Sequence, residues 1–101
     1  MAKREYHVYW TQPAAADLLE TAAFIRREQP AAALRLYDDV SKKTNLLRHH
    51  PLLRRIAPEF QNRFLRELVF PPYRVIYRVL AAESRIEVLA VVHGSRLLPE
   101  S

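Results

Sequence analysis

Six side chains toward the C-terminal end can handle phosphate and protons: Arg66, Tyr73, Arg74, Arg78, His93 and Arg96. Two chemistries fit them. In one, the arginines bind the phosphate backbone of RNA and stabilise charge on a pentacoordinate phosphate, while His93 helps take the 2′-hydroxyl proton. In the other no bond is broken, and a basic, aromatic-studded face docks a protein or a protein–DNA complex. Composition alone leaves both open.

Other chemistries are excluded. The 101-residue chain has no cysteine, so it has no disulfide framework, zinc ribbon, iron–sulfur cluster or thiol nucleophile. Its one glycine, Gly94, is too few for a Walker loop or a dinucleotide-binding G-x-G-x-x-G. His49 and His50 are adjacent and diverge on a helix, and no histidine pair has the i,i+4 spacing of a helical metal site, so neither a metal nor a cofactor is expected. With His7, these two read as structural or surface residues. Ser41, Ser84, Ser95 and Ser101 stand in no nucleophile elbow. No apolar run is long enough for a signal peptide or a membrane span, and a cytoplasmic protein is expected.

The net charge of +5 sits in the middle of the chain. Residues 48–78 hold Arg48, Arg54, Arg55, Arg63, Arg66, Arg74 and Arg78 against Glu59 and Glu67, while the flanking segments nearly cancel. All these cations are arginine, which suits bidentate contact with phosphate or carboxylate.

The patterning predicts one α+β domain over residues 1–101, in the order β-α-α-β-β-β. Residues 5–10 alternate as a short strand. Pro13 opens a helix to about Arg27, capped by Thr11 or Gln12, with Ala15, Leu18, Leu19, Ala22 and Ile25 on its apolar face and Asp17 and Glu20 outside. Pro30 opens a second helix with the stripe Ala33, Leu36, Tyr37, Val40, Thr44, Leu47, ending through Arg48, His49 and His50 at Pro51. The solvent side carries the i,i+4 pairs Arg35 with Asp39, Asp38 with Lys42 and Asp39 with Lys43. Residues 51–62 have no period and read as a loop. Strands follow at 63–70, 73–80 and 85–93, the last apolar on both faces and therefore central. Pro71-Pro72 forbids a tight primed turn, so a connection wider than two residues is expected between the first two of these. The result is a curved, largely antiparallel four-stranded sheet with a helical hairpin on one face.

Several strings resemble the RelE/ParE superfamily of type II toxin–antitoxin toxins, and its ParE-like branch more closely. They are Trp10 with Asp17-Leu18, Ala31-Ala32-Ala33, His50-Pro51, Arg66-Glu67-Leu68-Val69-Phe70-Pro71-Pro72-Tyr73-Arg74-Val75-Ile76-Tyr77-Arg78-Val79, and Val91-Val92-His93-Gly94-x-Arg96, together spanning residues 5–98. One departure is Arg54, where the family often has a glycine.

The resemblance implies a growth-inhibiting toxin associated with plasmid stabilisation, neutralised by a cognate antitoxin whose acidic, amphipathic C-terminal segment wraps it. ParE-like members poison DNA gyrase without an established catalytic residue. RelE-like members cleave mRNA on the ribosome, and Arg66, Arg74 and His93 match positions where such ribonucleases keep working residues. Gly94 stands where some of them have a catalytic tyrosine, and the second helix has only Lys42 and Lys43 in place of a lysine-rich face. The gyrase inhibitor is therefore the expected function, with the endoribonuclease and a non-toxic binding module or decayed toxin as alternatives. Target or antitoxin binding is expected at Arg54, Arg55, Arg66, Tyr73, Arg74, Arg78, His93 and Arg96.

Overall fold

A computed structural model describes residues 4–94. Strand β1 (His7–Trp10) leads into helices α1 (Gln12–Arg26) and α2 (Pro30–Leu46), and four more strands follow: β2 (Arg55–Ile56), β3 (Leu65–Phe70), β4 (Tyr73–Leu80) and β5 (Arg85–His93). The sheet order is β1-β5-β4-β3-β2, with β1 parallel to β5 and every other pair antiparallel. β5, expected to be central, is an interior strand between β1 and β4, next to the edge, and β4 takes the middle of the five.

The helices begin where the prolines set them. Thr11 caps α1: its hydroxyl accepts from the Ala14 amide and donates to the Val88 carbonyl, tying the helix start to β5. The α2 stripe buries Ala33, Leu36, Val40, Thr44 and Leu47, while Tyr37 lies toward its exposed edge. In α1 the buried face is rotated from the expected one. Ala14 and Ala22 are buried with Leu18 and Ile25 packed beside them, and Leu19 faces solvent. Asp17, expected outside, turns to the sheet, where its carboxylate accepts the Val91 amide at 3.1 Å. That amide lies beside a bulge in which Ile76 pairs with Ala90 but Tyr77 pairs with Val88, so Leu89 has no partner on β4.

Three expectations are corrected. The sheet has five strands, because Arg55 and Ile56, inside the segment read as loop, pair with Glu67 and Arg66 of β3; two residues are too few to show a period. Phe70 pairs directly with Tyr73, so Pro71 and Pro72 make a two-residue turn. The Pro71-Pro72 peptide is cis, the geometry of a turn with cis-proline at its third position and a different class from the primed turns that proline forbids. Finally, regular α2 ends at Leu46, and Leu47 to His49 form a looser turn before Pro51. At Arg54 no left-handed backbone is needed: among the non-glycine described residues only Gln61 and Ser84 have positive φ.

The core lies between the helical hairpin and one face of the sheet, built from Leu68, Phe70, Val75, Tyr77, Val79, Ile86, Val88 and Val91 against Ala14, Ala22, Leu36, Val40 and Leu47. Among the described residues no helix is long and apolar enough to cross a membrane.

Candidate functional site

Alternation along β3 and β4 sends the candidate residues to different faces. Arg66, Tyr73 and Tyr77 share the helix side with the core, whereas Glu67, Arg74 and Arg78 share the helix-free side. That face is itself divided, because residues 57–62 fold over part of it and bury Ala57 and Glu59.

Arg74 is the anchor of that covering loop. The residue is 4% exposed. Nη1 donates to Glu59 and Glu67 at 2.8 Å each, and Nη2 donates to the second Glu59 oxygen. Glu67 also accepts from Nε of Arg55, whose own side chain is largely exposed. The bonds to Glu59, joined by those to Glu67, outweigh the burial that opposes charge and raise the Arg74 pKa above its ordinary value. Two buried carboxylates are thereby neutralised by one buried guanidinium and one rim arginine. The sheet-to-loop clamp occupies the Arg74 donors that a phosphate would need.

Arg66 is committed to the chain in a different way. Its Nε donates to the Arg63 carbonyl at 2.5 Å and Nη1 to the Arg54 carbonyl at 3.0 Å, so it closes the loop behind β2. Beside it Tyr77, fully buried, donates to the Pro51 carbonyl at 3.0 Å. Burial pushes its phenol up to about 12, against the pull of the Arg54 amide and the Arg66 and Arg54 charges. Arg54 keeps a buried Nε with no hydrogen-bond partner among the described residues.

On the open part of the helix-free face, Arg78 donates to Glu87 at 2.6 Å, and Arg85 lies 3.2 Å from the same carboxylate. The hydrogen bond from Arg78 holds the Glu87 carboxyl below its ordinary value. Arg85 also lies over the Tyr9 ring, 4.4 Å from its centroid.

At the other end of the sheet, Tyr73 and His93 are register partners whose rings meet edge to face, with centroids 5.7 Å apart. The Gly94 amide donates to the Pro72 carbonyl at 2.6 Å. A Cβ on residue 94 would stand 2.9 Å from that oxygen, so the close approach is why glycine occupies the position.

The seven described candidate residues therefore do not form one site. Tyr73 and His93 meet at one end, Arg54 and Arg66 at the other, Arg55 and Arg74 in the clamp, and Arg78 on the open face. Arg96 lies outside the described residues. Among the described residues no group of three or more histidine and acidic side chains could hold a metal.

A concave feature outside the candidate residues, apart from Tyr73, lies on the helix side. A groove of about 580 Å³ runs between the helical hairpin and the β3–β4 turn. Phe24, Ile25, Ala32 and Leu36 form one wall and Phe70, Pro71, Pro72 and Tyr73 the other. Arg27, Arg35 and Lys43 line it with Glu28 and Asp39. Lys43, expected to pair with Asp39, lies over the Phe70 ring at 4.6 Å, while the Asp38–Lys42 pair forms at 2.9 Å as predicted. The exposed Phe24, which fits no helical core stripe, was the signal for this wall.

The model of the ParE toxin of the type II toxin–antitoxin system parDE matches residues 8–98. No curated protein matches the chain. Among solved structures, the chromosomal ParDE system of P. aeruginosa aligns with a TM-score of 0.70 at 21% identity, over 90% of this chain and 98% of that one. The RelBE2 toxin–antitoxin complex of Mycobacterium tuberculosis aligns at 0.55 with 20% identity, over 88% and 91%. The isolated E. coli RelE toxin aligns at 0.51 with 15% identity, over 91% and 87%. At these identities the structural likenesses speak for the fold. With nearly the whole length matched by the family model, this chain belongs to the ParE toxin family of type II toxin–antitoxin systems.

Proposed function

We propose that this toxin arrests growth by inhibiting DNA gyrase, binding it without cleaving RNA, and that a cognate antitoxin neutralises it by seating an amphipathic helix in the groove between the hairpin and the β3–β4 turn. The observation that carries the first half is the separation of Arg66, Arg74 and His93. Arg74 is enclosed on the helix-free side of the sheet, whereas Arg66 faces the helix side with two donors spent on backbone carbonyls. Arg66 pairs with Tyr77 and His93 with Tyr73, four residues apart on β4, or roughly 13 Å at the rise of a strand. A general base and the cations that stabilise a phosphorane must converge within hydrogen-bond reach of one phosphate. These three do not.

For the second half, the groove offers an apolar floor to one face of a helix and charges of both signs along its walls. The central excess of arginine suits an acidic partner and speeds the encounter. The antitoxin is thus given the groove, Tyr73 included, and the target the exposed arginines Arg55 and Arg78 of the helix-free face.

Expression of the toxin alone, with plasmid topology followed after induction, tests this reading. Relaxation of plasmid DNA before any loss of mRNA integrity is expected, and its reversal when the antitoxin is co-expressed. Fragmentation of ribosome-bound mRNA with supercoiling unchanged would overturn it.

A further inference from the structure

The arginines of residues 48–78 divide into two sets by what they meet. Arg48 pairs with Glu5, Arg55 with Glu67, Arg74 with Glu59 and Glu67, and Arg78 with Glu87. Arg54, Arg63 and Arg66 pair with no acidic side chain among the described residues. The positive charge of the segment is therefore left uncompensated at these three positions.

The fold brings the three to one corner, where β2 runs beside the start of β3. Arg66 holds the corner together: Nε donates to the Arg63 carbonyl at 2.5 Å and Nη1 to the Arg54 carbonyl at 3.0 Å, so both segments lie within the width of one guanidinium. That leaves its Nη2 without an acceptor among the described residues. Arg63 is exposed, with its guanidinium 5.1 Å from the centroid of the Phe64 ring, itself 37% exposed. Arg54 keeps a buried Nε with no partner among the described residues. A buried donor of this kind calls for an explanation, and three cations without an acid among them call for an anion.

The form of the anion follows from the arrangement. A single free phosphate would engage one planar fork, whereas several forks in one place suit a ligand that carries anionic groups in series, and the exposed Phe64 ring beside them adds a flat apolar surface for a sugar or base. Position separates this corner from the groove. Arg66 stands near the start of β3, and the groove wall at Phe70 stands at its end. The corner continues along β2 into the exposed Arg55, on the surface given above to the target.

We propose that Arg54, Arg63 and Arg66 bind the phosphodiester backbone of duplex DNA, and that through this corner the toxin grips the DNA that gyrase carries. The second clause rests on the gyrase reading, while the first is tested without gyrase.

The test is the anisotropy of a fluorescein-labelled 20-base-pair DNA duplex titrated with the full-length toxin between 50 and 300 mM KCl. The logarithm of the association constant is expected to fall against that of the salt concentration with a slope of about −3, as for three phosphates at roughly 0.9 each. Arg63→Gln, at an exposed position, is expected to reduce that slope by about 1, and Arg54→Gln with Arg63→Gln by about 2, with binding at 50 mM weakened roughly tenfold or more. Arg66 is left unchanged because its backbone bonds hold the corner, and the urea midpoint of each variant shows that it is folded. Arg26→Gln with Lys42→Gln takes the same charge from the helical hairpin and is expected to change the affinity less than about threefold. Equal losses from the two double variants overturn the site in favour of net charge alone, as does a native toxin that leaves the duplex unbound at 50 mM. Tighter binding of duplex RNA of the same sequence overturns it in favour of RNA. Loss of antitoxin affinity in the Arg54, Arg63 variant with DNA affinity unchanged overturns it in favour of the antitoxin. Gyrase left uninhibited by a toxin that still binds DNA at this corner contradicts the target reading and leaves the site in place.

Discussion

Arg74 on β4 and Glu59 in the loop after β2, fifteen residues apart, form a buried two-pronged ion pair that closes the loop onto the helix-free face of the sheet. An arginine matching a ribonuclease position thereby has a structural task in this chain. Removing it takes away the bidentate partner of Glu59 and leaves Glu67 only the rim Arg55, which costs about 3–5 kcal/mol for a broken buried pair.

Arg74→Ala is therefore expected to lower unfolding stability by about that amount in urea titration. Replacing Arg74, Glu59 and Glu67 together with apolar residues of similar volume is expected to recover most of it, because no charge then stays buried alone. A loss under 1 kcal/mol for Arg74→Ala would show that the clamp is open to water.

Tyr77 supplies an alkaline limit. Its folded pKa of about 12 lies above the ordinary value of 10.0, so the folded state holds the phenolic proton more tightly than the unfolded chain. The associated stability is complete below pH 10 and is lost as pH rises toward 12, by up to about 3 kcal/mol at 1.36 kcal/mol per unit. Urea titrations at pH 8, 10 and 11.5 read this directly. Tyr77→Phe should lose about 1 kcal/mol at pH 8 with the bond to Pro51, and should show less of the alkaline decline.

How much of this was legible in the sequence follows from how local each signal is. The α2 stripe and the proline helix starts are written in consecutive residues, and the structure reproduces them. β2 was not legible, since Arg55 and Ile56 are made a strand by Glu67 and Arg66, ten or more residues away. The same holds for Asp17, which turns inward to accept the Val91 amide on β5 beyond the end of the β1 pairing at Val88, and for the groove, whose walls come from two distant segments. Arg66, Arg74 and His93 could be picked out by type and family position. That they diverge depends on strand alternation combined with a loop whose cover no period reveals.

The Gly94 contact gives a third expectation. Gly94→Ala places a methyl 2.9 Å from the Pro72 oxygen, and either β5 or the β3–β4 turn must move. A destabilisation of about 1–3 kcal/mol is expected, as for overpacking elsewhere. Chemical-shift changes should centre on Tyr73 and His93, whose rings share that corner. An unperturbed Tyr73–His93 pair would contradict the steric account.

In the groove, Phe24 is exposed on one wall and reaches no core residue cluster. Phe24→Glu is expected to leave the unfolding midpoint nearly unchanged and to weaken antitoxin binding at least tenfold in calorimetry. The association rate of the native pair should fall steeply as salt is raised, since an exposed field of +5 is screened. Equal affinity for the variant would move the antitoxin helix to another face.

The central claim is inhibition of gyrase without RNA chemistry, and purified components test it most directly. Toxin added to gyrase, ATP and relaxed plasmid should reduce supercoiling or trap gyrase–DNA cleavage complexes. Equimolar antitoxin should restore the reaction, and His93→Ala should keep the full range of RNA behaviour unchanged because there is none to lose. Undisturbed supercoiling, together with cleavage of ribosome-bound mRNA that His93→Ala abolishes, would contradict the account.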